Sequence, residues 1–211
     1  SYKVSTDESV LSSKTQFHTV YYHQLGKKQI EDKFIFGGNK HPNRYIFSFV
    51  TEDQNYLVIS ASTTTSGNKL FVKSLKEKNS EFISIQNDYL SECSYVFNDG
   101  NQFYLSTNKD APNFRLISLD LSNPKKWVDV IPEKDNVLNV SAGGGYLFCN
   151  YLVDAKSQVE QYDLKGNLVY EVPLPGIGSA GGFSAKSDET ELYFSFSSYI
   201  YPRTIYKYNI E

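Results

Sequence analysis

A serine nucleophile presented on a strand-to-helix elbow needs the pattern Gly-x-Ser-x-Gly, and this pattern does not occur in the 211 residues. The nearest Gly/Ser clusters are Gly176-Ile177-Gly178-Ser179-Ala180-Gly181-Gly182 and Ser141-Ala142-Gly143-Gly144-Gly145. Both read as tight connections between blades, or as inner strands lining the axis, where Gly allows close backbone approach. The first also lacks the helix and terminal Lys of a phosphate cradle, so no nucleotide and no other cofactor is expected. His18, His23 and His41 are the only histidines. His18 and His23 lie five apart in one predicted strand, which points them to opposite faces and away from a shared metal. Cys93 and Cys149 have no metal-ligand spacing and read as small buried apolar side chains. Glu31/Asp32, Glu52/Asp53 and Asp188/Glu189 fall in turns or at strand ends, where solvated acids are the rule. A glycosidase would need two such carboxyls facing across a cleft. Asn139-Val140-Ser141 is a formal sequon placed inside a predicted strand. No catalytic residue and no metal ligand is assigned.

What remains must be positioned by elements, and composition says which. Seventeen Tyr and fourteen Phe with no Met favour strands over helices. The formal net charge of −3 offers no basic field for nucleic acid or an anionic membrane surface. The longest purely apolar runs are a few residues, as in Tyr146-Leu147-Phe148-Cys149, far short of a membrane-spanning helix. The start SYKVSTDESV is polar and carries no secretory leader, which does not decide the compartment, cytoplasmic or periplasmic.

Period-two runs recur along the whole chain. They open with Phe17–Leu25, the turn Gly26-Lys27-Lys28 and the return Glu31–Phe36. Four-strand groups follow from Tyr45–Val50, Cys93–Phe97 and Val137–Ser141, and a last group runs through Gly182–Ala185, Glu191–Ser197 and Thr204–Ile210. The second strands begin at Tyr56, Gln102, Tyr146 and Glu191, in steps of about 45 residues. Third strands end alike, in Val72-Lys73-Ser74-Leu75, Ser118-Leu119-Asp120-Leu121, Gln161-Tyr162-Asp163-Leu164 and Lys207-Tyr208-Asn209-Ile210.

Four antiparallel strands repeating at that period predict an all-β fold, a β-propeller of about four to five four-stranded blades. A single blade cannot bury both its faces, so neighbours must cover each other. The blades are expected near 1–38 (partial), 44–88, 91–135, 137–175 and 177–211 (partial), within one domain spanning 1–211. Loops between second and third strands are where function is expected: Ser62–Asn68, Asn108–Asn113 and Tyr199–Arg203. An arc of this kind exposes a blade face or strand edge, so self-association is expected, or pairing of the two ends.

Three segments carry a resemblance. Phe17-His18-Thr19-Val20-Tyr21-Tyr22-His23-Gln24-Leu25-Gly26, Ser106–Leu116 and Ser197–Tyr206 look, in register, like the propeller domain of the prolyl oligopeptidases. That family joins a seven-bladed propeller to an α/β-hydrolase domain. The resemblance implies that the chain is an arc of such a wheel, with the Ser, Asp and His of the triad in a hydrolase domain of the same polypeptide. The propeller would filter access, so that short proline-containing peptides reach the serine. It further implies that the region of Tyr45, Ser62, Thr63, Thr64 and Thr65 is substrate-proximal. In relatives that region carries an Arg and a Cys, where Ser62 and the Thr run stand here. The chain alone is then expected to be inactive. The competing expectation is a stand-alone propeller presenting its rim loops to a protein or carbohydrate partner.

Overall fold

The computed structural model describes residues 15–210, and the chain divides into two compact units, one up to Ser91 and one from Glu92 on. Every described strand pairs antiparallel with its sequence neighbour.

In the first unit, β1 (Thr19–Tyr22) and β2 (Lys33–Gly37) form a two-stranded ribbon. β3 (Tyr45–Val50), β4 (Tyr56–Ser62), β5 (Lys69–Ser74) and β6 (Ile83–Gln86) form a four-stranded sheet in chain order. The inner pair is buried on both faces: Val58, Ile59 and Ala61 of β4 and Leu70 and Val72 of β5 are all but inaccessible. Phe36 of β2 meets Phe71 and Phe82 with ring centroids 5.3 and 5.2 Å away, which joins ribbon to sheet. The expected strand Phe17–Leu25 is shorter because Phe17 has φ +60° and Gly26 turns at φ +83°. Its return also starts later, because Gln29–Glu31 is a turn of 3-10 helix. His18 and His23 therefore flank β1 instead of sharing it.

The second unit repeats the pattern twice in full. β7 (Cys93–Asp99), β8 (Gln102–Thr107), β9 (Arg115–Asp120) and β10 (Val128–Ile131) make one sheet. β11 (Leu138–Gly143), β12 (Tyr146–Val153), β13 (Lys156–Tyr162) and β14 (Leu168–Val172) make the next. β15 (Ser179–Gly181), β16 (Glu191–Ser197) and β17 (Thr204–Asn209) form a three-stranded sheet.

The apolar run in β12 explains how these sheets stack. Leu147, Cys149 and Tyr151 alternate onto one face and pack with Leu116 and Ile131 of the preceding sheet. Phe148, on the other face, packs with Phe183, Leu192 and Phe194 of the following one. A strand buried on both faces has no polar alternation to display. Each fully buried Phe or Leu contributes about 1.5 to 3 kcal/mol. Burial likewise pushes the Cys93 and Cys149 thiols up to about 12.

Polar stitches set the register between sheets. The Asn150 amide donates to the Ala180 carbonyl at 2.8 Å, and buried Gln161 receives the Tyr208 hydroxyl at 2.8 Å. The Lys134 ammonium donates to Glu160 at 2.7 Å while lying over the Tyr151 ring. Desolvation disfavours that ammonium, but its hydrogen bonds to Glu160 and Tyr162 prevail and hold its pKa above the usual lysine value.

The expected strand Gly182–Ala185 is displaced to Ser179–Gly181. Gly182 leaves the strand region at φ +93°, and the Ala185 N–H donates instead to the Ala142 carbonyl of β11. The Ser141–Gly145 cluster is an intra-sheet hairpin: Gly144 and Gly145, both at positive φ, connect β11 to β12.

Candidate functional site

Strand direction decides which loops share an edge. In the first unit, segment 38–44 enters β3 at the edge of the sheet where 63–68 leaves β4 and 87–91 leaves β6, so the three gather at one rim. Tyr45 and Ser62 face each other there as the terminal pair of the β3–β4 ladder. Tyr45 is half exposed and meets the His18 ring edge-on at 5.5 Å. Thr63, Thr64 and Thr65 are exposed in the turn beyond Ser62. The Thr64 hydroxyl is engaged locally, donating to the Ser66 carbonyl at 2.8 Å.

The rim is rigidly built. Gly67 sits at φ +73° against the Tyr89 backbone, leaving no room for a Cβ. Buried Gln86 donates to the Asn68 and Ser91 carbonyls at 2.7 and 2.6 Å, tying the 63–68 loop to the 87–91 segment. The Asn68 amide donates to Ser60 Oγ at 3.0 Å. In the 38–44 turn, the His41 N–H donates to the Gly38 carbonyl and the Arg44 N–H to the His41 carbonyl. The Pro42 carbonyl accepts from the Phe17 N–H at 2.7 Å.

Two hollows open beside that turn. One of about 270 Å³ is lined by Lys40–Arg44, Thr63 and Tyr89. Of the five expected residues, only Thr63 lines it. The larger, about 500 Å³, lies between β2, the turn and β5, with Phe34, Phe36 and Phe71 as its apolar wall. Lys40, His41, Arg44 and Lys69 give it four basic side chains and no carboxylate. Lys69 is held by Asn87 Oδ1 at 3.1 Å and lies over the Tyr89 ring. Desolvation first, then the charges of Arg44, Lys69 and Lys40, lower the His41 pKa. Residues 38–44 escaped the strand-based reading because their chemistry comes from a turn. The signal present was three basic side chains within five residues, Lys40, His41 and Arg44, following Gly37-Gly38.

The remaining candidates resolve simply. His23 Nδ1 pairs with Asp32 at 2.6 Å near the surface, and no serine hydroxyl bonds to it among the described residues. His18 Nδ1 accepts the Ile46 N–H at 3.4 Å. Asp53 caps its own turn through Thr51 and Asn55. Asp188 and Glu189 line a shallow hollow in the second unit, where Glu189 receives the Lys186 N–H. No group of three or more metal-ligating side chains occurs among the described residues.

Residues 1–211 match the family model described as prolyl oligopeptidase, N-terminal beta-propeller domain. A prolyl endopeptidase of Elizabethkingia miricola is 48% identical over 213 residues, covering 100% of this chain and 30% of that protein. Prolyl oligopeptidase A of Galerina marginata is 29% identical over 197 residues, covering 90% of this chain and 26% of its own length. Among solved structures, a prolyl endopeptidase studied for inter-domain dynamics superposes with a TM-score of 0.86 at 31% identity, over 92% of this chain and 29% of that one. Prolyl oligopeptidase B of Galerina marginata, bound to a 25mer macrocyclization substrate, does so at 0.88 and 26% identity, over 99% and 30%. The chain thus spans about 30% of the length of the curated prolyl endopeptidases of Elizabethkingia that it matches. With blade-like antiparallel sheets in both units and a match along its whole length, the chain belongs to the prolyl oligopeptidase N-terminal β-propeller family.

Proposed function

We propose that the chain is the substrate-gating propeller of a serine endopeptidase that cleaves short peptides on the carboxyl side of proline. The chemistry, acyl transfer through a seryl intermediate, belongs in this reading to an α/β-hydrolase domain of the same polypeptide. The observation that carries it is the 48% identity to a prolyl endopeptidase sustained over the whole chain. The site geometry is consistent with a non-catalytic role. The central strands β4, β8 and β12 are committed to packing on both faces, and the His23–Asp32 pair has no nucleophile hydrogen-bonded to it among the described residues.

Tyr45, Ser62, Thr63, Thr64 and Thr65 are proposed to border the peptide path from the rim. Self-association through exposed sheet edges is proposed for the isolated chain. The gating role is tested in a polypeptide that joins residues 1–211 to a prolyl oligopeptidase hydrolase domain. A short proline-containing peptide should be cleaved, and the same sequence within a folded protein should not. Removing residues 1–211 should relax that discrimination in whatever activity survives. Equal cleavage of both substrates by the joined polypeptide would remove the gate from the account.

A further inference from the structure

We infer that the cleft between β2, the 38–44 turn and β5 is a binding site for an amphiphilic carboxylate, its occupant a free peptide C-terminus bearing a large apolar last side chain. The inference stands on the cleft alone and does not depend on the gating reading.

The two halves of the cleft differ in chemistry. Phe34, Phe36 and Phe71 line one wall of a hollow of about 500 Å³, a size ordinary for small-ligand sites. Lys40, His41 and Arg44 line the same hollow. Among the described residues none of these three side chains has an ion-pair partner, whereas Lys27, Arg115, Lys134 and Lys207 each have one. Lys69 is held by Asn87 and the Tyr89 ring, so it adds to the field without being free to move. Cations gathered without a counter-ion repel one another; desolvation is the larger cause of the lowered His41 pKa, and the charges of Arg44, Lys69 and Lys40 lower it further. The hydrogen bonds of the 38–44 backbone fix the turn from which these side chains extend.

A carboxylate entering here gains a charge-assisted contact with Arg44, whose planar guanidinium can take both oxygens. The aromatic wall favours an anion with an attached apolar group over a fully hydrated inorganic one. The chain is net negative at −3, so the attraction is local to this cleft.

The test is an NMR titration of the 211-residue chain with N-acetylphenylalanine, N-acetylphenylalaninamide and inorganic phosphate at matched ionic strength. The acid should move the His41 ring signals and those of Phe36 and Phe71. It should raise the His41 pKa and bind about tenfold tighter than the amide. The pair K40Q and R44Q should remove about that factor. F34S should weaken the acid but not phosphate, and K125Q, at an exposed lysine of the second unit, should change nothing. Equal affinity for acid and amide would overturn the inference. So would phosphate binding as tightly as the acid, or shifts confined to residues outside the cleft. Should the charge variants lose the dispersed spectrum of a folded chain, the acid–amide comparison on the unaltered protein decides by itself.

Discussion

Thr63 differs from its neighbours in one physical respect. Thr64 spends its hydroxyl on the Ser66 carbonyl, and Ser62 closes the β3–β4 ladder opposite Tyr45, while Thr63 lines the hollow beside the 38–44 turn. A peptide following this rim would meet the Thr63 hydroxyl before the others. In a polypeptide with the hydrolase domain, Thr63→Val should raise KM for a short proline peptide about fivefold with kcat unchanged, the cost of about one hydrogen bond. An unchanged KM would take Thr63 off the path. Residue chemistry was legible where it depended on spacing alone: the sequence lacks a nucleophile elbow, and both cysteines read as buried. It was not legible where a turn assembles it. Lys40, His41 and Arg44 acquire meaning only once β2 and β5 bring Phe34, Phe36 and Phe71 into one hollow with them.

At the level of elements, the β12–β13 hairpin carries the clearest strain. Val153 pairs with Lys156, leaving a two-residue turn in which Asp154 and Ala155 both take positive φ, +47° and +61°. Such turns favour Asn-Gly or Gly-Gly, and Ala has no side chain with which to compensate. Ala155→Gly should therefore stabilise the chain by about 0.5 to 1 kcal/mol, read as a higher denaturant midpoint with an unchanged slope. A loss of stability would contradict this account of the turn. The same turn shows why some boundaries were hidden. With no glycine at 154–155, the alternation suggested a strand starting at Gln158, where β13 begins at Lys156. Central strands were easier, since Gln102–Thr107 and Glu191–Ser197 combine aromatic content with turn residues on both sides. The first strand of the last sheet was misplaced because its apolar cue, Phe183, packs against Phe148 and Phe194 from outside the ladder.

On the scale of the whole molecule, the quartet period was visible because each four-stranded sheet solves the same problem, two faces to cover. Edge strands are where that solution stops. Phe47 and Phe49 of β3 are exposed, at 71% and 43%, and β17 pairs with no strand other than β16 among the described residues, leaving Ile205 in solvent. Exposed apolar edges template pairing with another chain. Light scattering of the isolated chain should accordingly show a mass that rises with concentration, and a constant monomer mass would refute self-association.

The proposed role, a cover for chemistry done elsewhere, requires the chain itself to be chemically silent. The most direct measurement is hydrolysis of a chromogenic proline amide by a homogeneous preparation of the 211-residue chain. The rate should equal the blank at every chain concentration. Hydrolysis that co-purifies with the chain, scales with its concentration and is abolished by a serine-directed covalent inhibitor would place the nucleophile within these residues and contradict the account.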